Sequence, residues 1–150
     1  MKTGVAAGVV AGGSMGAFYF GYGASVANPV RVGVLGTADK DGKPDAAYYG
    51  SPRLTEEGTL VVGSGDNLTL HNLHENPQAV FFCVDEAPVK PTTPGCRLYL
   101  KVRKIWKEGP ILEAIRDNIS RNFSEEAAKK IVAAIVFDVI EVRPLIAKGY

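Results

Sequence analysis

The run CRLYLKVRKIW, residues 96–106, alternates strictly: Arg97, Tyr99, Lys101 and Arg103 on one side, Leu98, Leu100 and Val102 on the other. A period of two with one apolar side marks a strand that buries a single face. Such a strand needs partners, and the chain supplies them. VRVGVLGTA, from Val30, is valine-rich and alternates. A polar turn follows, in which Asp41-Gly42 offers the positive φ that a hairpin needs. AAYYGSPRL reads as the partner strand, with Pro52 at its end or at an edge. TEEG makes a second turn, and TLVVGS, QAVFFCVD and AAIVFDVIEVRPL read as further strands, the last ending at Pro144.

Helices fill the gaps. Asp66 or Asn67 is a suitable N-cap for a short helix through about Glu75, with Leu68, Leu70 and Leu73 on its apolar side. Asn76-Pro77 stops it, because a residue before proline avoids the α region. In KEGPILEAIRDNISRNF a proline opens the first turn, and Ile111, Leu112, Ile115 and Ile119 share a side. Ser124-Glu125-Glu126-Ala127 opens a second, shorter helix. Few connections read as parallel crossovers. The order of elements predicts a mainly β, α+β fold: an antiparallel barrel with helices packed outside.

At 150 residues the chain makes one domain with a real core. Seventeen Lys+Arg against sixteen Asp+Glu leave a formal charge of +1, which calls for neither nucleic acid nor an acidic partner. Cys83 and Cys96 fit neither a zinc spacing nor a disulfide framework; they read as buried thiols or as a bridge between neighbouring strands. Residues 1–28 stand apart. No charge occurs between Lys2 and Arg31, and the segment is rich in glycine and alanine. It reads as an arm, a secretory signal with Ser25-Val26-Ala27 as cleavage site, or a membrane anchor. The expected location is cytoplasmic, or exported or membrane-anchored if that segment acts as an address.

The sequence matches G-x-S-x-G only at Gly12 to Gly16, inside the uncharged N-terminal segment, where it is not read as a nucleophile elbow, and it holds no phosphate-binding P-loop. His71 and His74 are three apart on one helix but lack a third ligand at suitable spacing, so no metal site is expected. No nucleophile–base pair stands out, and no side chain is assigned a catalytic role. The stretch GSGDNLT, Gly63 to Thr69, carries more information. Gly63 and Gly65 let backbone amides approach an anion; Ser64, Asn67 and Thr69 offer side-chain donors; a helix begins there. The same residues serve a capped helix after a tight turn, and both readings stand at this level.

Four stretches, VGVLGTADKDGKPDAA, TLVVGSGDNLTLHNLHENPQAVFF, GCRLYLKVRKIWKEGPILEAI and AAIVFDVIEVRPL, together resemble the pyridoxamine-phosphate-oxidase-like family of flavin-binding split barrels. The similarity runs in order from about Val30 to Tyr150. Its motifs are T-x-D-x-D-G-x-P, Thr37 to Pro44, and N-L-x-x-N-P, Asn72 to Pro77. The resemblance implies a six-stranded antiparallel split β-barrel with short flanking helices over residues 29–150. It also implies a homodimer with two FMN molecules at its interface. The loop before the short helix would hold the flavin phosphate, here through Gly63, Ser64, Gly65, Asn67 and Thr69. The strand after the D-G-x-P turn would line the isoalloxazine, here with Ala47, Tyr48 and Tyr49.

One departure matters. Many members carry Ser-Arg-Lys or Lys-Thr just before the N-L helix, and those cations pair with the phosphate. Here the matching residues are Asn67, Leu68 and Thr69. Losing a charge-assisted contact to phosphate costs about 1.5–3 kcal/mol. Arg53, Lys101 or Arg97, from this chain or its dimer mate, would have to compensate. The expected function is an FMN-binding split-barrel protein with flavin-dependent oxidoreductase or electron-transfer activity on a small-molecule redox substrate. The alternative is a non-catalytic member, or one that binds haem or deazaflavin. Pyridoxamine-phosphate oxidase activity itself is not implied, because that enzyme's substrate-phosphate residues are not visible.

Overall fold

A computed structural model describes residues 32–50, 52–84, 90 and 92–146; the expectations for residues 1–28 lie outside the described residues. The elements are β1 (Val32–Ala38), β2 (Pro44–Tyr48), β3 (Arg53–Leu54), β4 (Thr59–Ser64), α1 (Leu68–Glu75), β5 (Gln78–Val84), β6 (Gly95–Trp106), α2 (Pro110–Asn122), α3 (Glu125–Lys129) and β7 (Ala133–Arg143). All strand pairs are antiparallel, in the order β2-β1-β5-β6-β7-β4-β3. Leu35 of β1 and Leu60 and Val62 of β4, from strands far apart in that order, belong to one buried cluster. The sheet therefore curls around a single core, and each of its large apolar side chains contributes about 1.5–3 kcal/mol on burial.

The sheet has seven strands rather than the expected six. AAYYGSPRL does not form one strand: β2 ends at Tyr48, and β3 is the separate pair Arg53–Leu54, zipped to Val61 and Leu60 of β4. Pro52, which lacks an N–H, precedes β3 and ends the possibility of an unbroken ladder.

Local chemistry accounts for the other boundaries. Asp39 Oδ1 accepts from the backbone N–H groups of Asp41 and Lys43, each at 2.9 Å, while Gly42 takes φ +84°. Those bonds, the Lys43 amide first, hold the Asp39 carboxyl below the usual aspartate range. Asn67 caps α1 by accepting from Leu70 N at 3.0 Å. The alternation of β6 runs as expected, with Leu98 and Leu100 buried and Lys101 exposed. Register shifts against β7 between Tyr99/Leu100 and between Val102/Lys104 interrupt it. Such bulges bend a strand pair and help the sheet to curl. Among the described residues no helix is long and apolar enough to cross a membrane.

Helix α1 is tied to the barrel by a buried polar pair. Asn72, 2% exposed, donates Nδ2 to Thr37 Oγ1 of β1 at 3.1 Å. Breaking that pair strands a hydroxyl in the interior. We expect Asn72→Ala to lower stability by about 1–3 kcal/mol, read from the shift in urea midpoint at unchanged m-value.

Candidate functional site

Strand β4 delivers the Gly63–Thr69 loop, and its alternation decides where each side chain goes. Leu60, Val62 and Ser64 point into the barrel; Thr59, Val61 and Gly63 face outward. Ser64 is 1% exposed. Its Oγ meets Tyr49 Oη at 3.1 Å, and its single O–H lies within reach of Gly65 O at 3.0 Å, the shorter contact, and Asn67 Oδ1 at 3.4 Å. Asn67 Nδ2 donates to Tyr49 Oη at 3.1 Å. Three expected site residues from three separate segments thus form one hydrogen-bonded network. Thr69 is buried, and Leu68 is exposed.

With Leu70 N taken by the Asn67 side chain and His71 N by the Asn67 carbonyl, the N–H groups of Leu68 and Thr69 remain the helix donors without an intrahelical acceptor. The loop is therefore a well-capped helix start with two amides outside the intrahelical ladder. Gly65 lies against the Lys130 carbonyl, where an added Cβ would approach to 3.2 Å. Val132 N donates to Ser64 O at 2.9 Å, so the loop is held from its far side by the start of β7.

The residues expected to line a ring separate. Ala47 packs partly against the core. Tyr49 turns inward to the network. Tyr48 stays 67% exposed. The three candidate cations separate too. Lys101, on the outer face of β6, stands opposite Gln78 and Asp138. It is five residues from Trp106, roughly 16 Å along the strand, and Trp106 marks the loop's end of the sheet because it pairs with Ala134, the partner of Gly63. Arg97 is nine residues from Trp106, roughly 30 Å along the strand. Arg53 is the one of the three that shares a cavity with the loop.

That cavity, of about 430 Å³, lies between α2 and the outer face of β3, β4 and β7. Its sheet wall is Val61, Gly63 and Val136; its helix wall is Pro110, Ile111, Ala114, Ile115 and Ile119. Arg53, Thr55, Glu57, Thr59 and Asn118 provide the polar groups. Gly63 sets the depth, since a Cβ there would come within 2.7 Å of Ile115 Cγ2. Arg116 of α2 donates Nε to Ile131 O at 2.9 Å, which fixes the helix over the sheet. The volume is in the range of small-molecule sites, as is an apolar wall with few polar groups. Sequence reasoning missed this wall because the stripe Ile111, Ile115 and Ile119 is also what a helix needs merely to cover a core.

His71 and His74 are both exposed on α1, and His71 Nε2 lies 3.3 Å from Glu75 Oε2. Among the described residues no cluster of three or more metal-ligating side chains forms.

Replacing Tyr49 by Phe removes the hydroxyl that Ser64 and Asn67 share. A loss of about 1–2 kcal/mol is expected, and Asn67→Ala, which also removes the cap, should cost about 0.5–2 kcal/mol. Urea melts of both variants and the double variant should be non-additive by at least about 0.5 kcal/mol if the network acts as a unit.

The sequence profile described as pyridoxamine 5'-phosphate oxidase matches residues 25–146. No curated protein sequence matches the chain. Among solved structures, an FMN-binding protein from Syntrophomonas wolfei subsp. wolfei superimposes with a TM-score of 0.76 at 16% identity, over 88% of each chain. HupZ from Group A Streptococcus gives 0.63 at 21% identity, over 77% of this chain and 85% of its own. HutZ, the heme storage protein from Vibrio cholerae, gives 0.55 at 15% identity, over 79% of this chain and 82% of its own. At these identities the likeness establishes a shared fold.

Proposed function

Because the chain belongs to the pyridoxamine 5'-phosphate oxidase family, we propose that it binds FMN and serves a flavin-dependent redox reaction of a small molecule. The observation that carries this reading is the continuity of the α2–β4 cavity with Gly63, the first residue of the loop that resembles the family's phosphate loop. Bound there, a flavin supplies the electron or hydride chemistry. The chain's own residues do the rest. Val61, Ile111 and Ile115 exclude water from an aromatic ring. Thr55, Thr59 and Asn118 offer polar groups to its edge. The amides of Leu68 and Thr69 would hold the phosphate, and Arg53, which lines the cavity, would supply a cation.

Haem fits less well. The described lining of the cavity holds no His, Cys, Met or Tyr to ligate iron, and the two histidines sit on α1 instead. Titrating purified protein into FMN should quench the flavin fluorescence saturably. Arg53→Ala should weaken binding roughly ten-fold or more, as for a lost charge-assisted contact. Gly63→Val should abolish quenching with an unchanged far-UV circular dichroism spectrum, because the added side chain fills the cavity at Ile115. A Soret band on haem addition with no response to FMN would replace this reading.

The proposal includes a homodimer through the outer face of β2, β1 and β5, which departs from the expectation of FMN at the dimer interface, because the α2 cavity lies against β3, β4 and β7. Tyr48, Val34 and Phe82 stand in one row across these strands, and Tyr48 and Phe82 are exposed. A charge in that row cannot be buried unpaired. Sedimentation should find a dimer for the unaltered chain and a monomer for Phe82→Lys; two dimers would place the contact elsewhere.

A further inference from the structure

We infer that Cys83 and Cys96 form a modification site, an oxidisable thiol pair that closes to a cross-strand disulfide when hydrogen peroxide reaches it. The inference is independent of any cofactor. The two residues are register partners on β5 and β6, both fully buried, with Sγ atoms 3.6 Å apart. In the structure they are thiols. The sequence left buried thiols and a bridge between strands as alternatives; the fold makes them two states of one site.

Geometry favours closure. Cα atoms of directly opposed antiparallel residues are about 4.5–5.5 Å apart, inside the span of a disulfide. The strands also approach closely here, because a Cβ on Gly95 would collide with the Cys83 carbonyl. The sulfurs must draw together by roughly 1.6 Å to reach bonding distance, a movement that side-chain rotation can supply.

Access comes from the end of the ladder. The pair Val84–Gly95 is the last rung of β5–β6, and Cys83–Cys96 is the next one in. Rungs at a ladder's end open locally at far lower cost than the core. Opening two rungs exposes both thiols to an oxidant no larger than peroxide. One thiolate attacks a peroxide oxygen; the O–O bond breaks and the first water leaves after taking up a proton. The resulting sulfenic acid is attacked by the second thiol, forming the S–S bond and releasing the second water. Two electrons pass from the thiols to peroxide, and two thiol protons end in water.

The test treats the folded, full-length chain with hydrogen peroxide, quenches it, unfolds it in an alkylating reagent and measures the intact mass. The expected result is a species two hydrogens lighter, unlabelled, whose peptide map joins Cys83 to Cys96 and which dithiothreitol restores to two labels. Its midpoint of thermal unfolding should rise by roughly 5–10 °C, as for a short closed loop. Two labels after peroxide, or a disulfide formed only when the chain is oxidised unfolded, would overturn the inference. In Cys96→Ser the two-hydrogen loss should vanish and sulfenic or higher acids accumulate at Cys83. If that variant does not fold, the peptide map of the unaltered chain decides alone.

Discussion

The contact between Gly63 and Ile115 sets the functional geometry of this molecule. Strand β4 must present a backbone without a side chain at its outer face so that α2 can settle on it. Above that point the helix stands off the sheet, and the space between them is the cavity walled by Val61, Ile111 and Ile119. A larger residue at position 63 would push the helix outward or fill the cavity's end. Either result uncouples the cavity from the loop that follows. The same glycine therefore links the packing of α2, the shape of the cavity and the start of the loop that leads into α1.

The loop itself is built by a trade. Ser64 and Asn67 look like donors for a ligand, yet Tyr49 takes both into a closed network. What the network provides is rigidity: it joins the segment after β2, the end of β4 and the cap of α1, so the two helix amides left over hold a fixed direction. What it gives up is side-chain capacity for a phosphate. Leu68, which the resemblance sets where many members carry a cation, is exposed, and Lys101 and Arg97 of the same chain lie well along β6 from the loop.

Much of this was legible in the sequence where the signal is local. The alternation of β6, the Asp41-Gly42 turn, and the limits of α1 at Asn67 and Asn76 depend on neighbours within a few residues, and the structure follows them. The break between β2 and β3 was not legible, because AAYYGSPRL alternates well enough for one strand and only pairing with β4 decides how much of it joins the sheet. The inward turn of Tyr49 depends on Ser64, fifteen residues on. The cavity depends on Ile115, more than fifty residues after Gly63. Family resemblance implied the barrel, but the seventh strand and the α2 wall rest on pairings distant in sequence.

These features shift where binding energy must come from. A charge-assisted contact to phosphate is worth about 1.5–3 kcal/mol. Burying roughly 150–250 Å² of aromatic surface in an apolar cavity is worth about 4–6 kcal/mol at 25 cal/mol per Å². On the proposed flavin reading the second term would be open to this chain, since Val61, Gly63, Ile111 and Ile115 all line the cavity. The first rests on two backbone amides and on Arg53. On the proposed flavin reading, recognition would therefore be governed by the ring more than by the phosphate. Such a shift would let a chain with Asn67, Leu68 and Thr69 before its short helix still use the cavity for a planar ring.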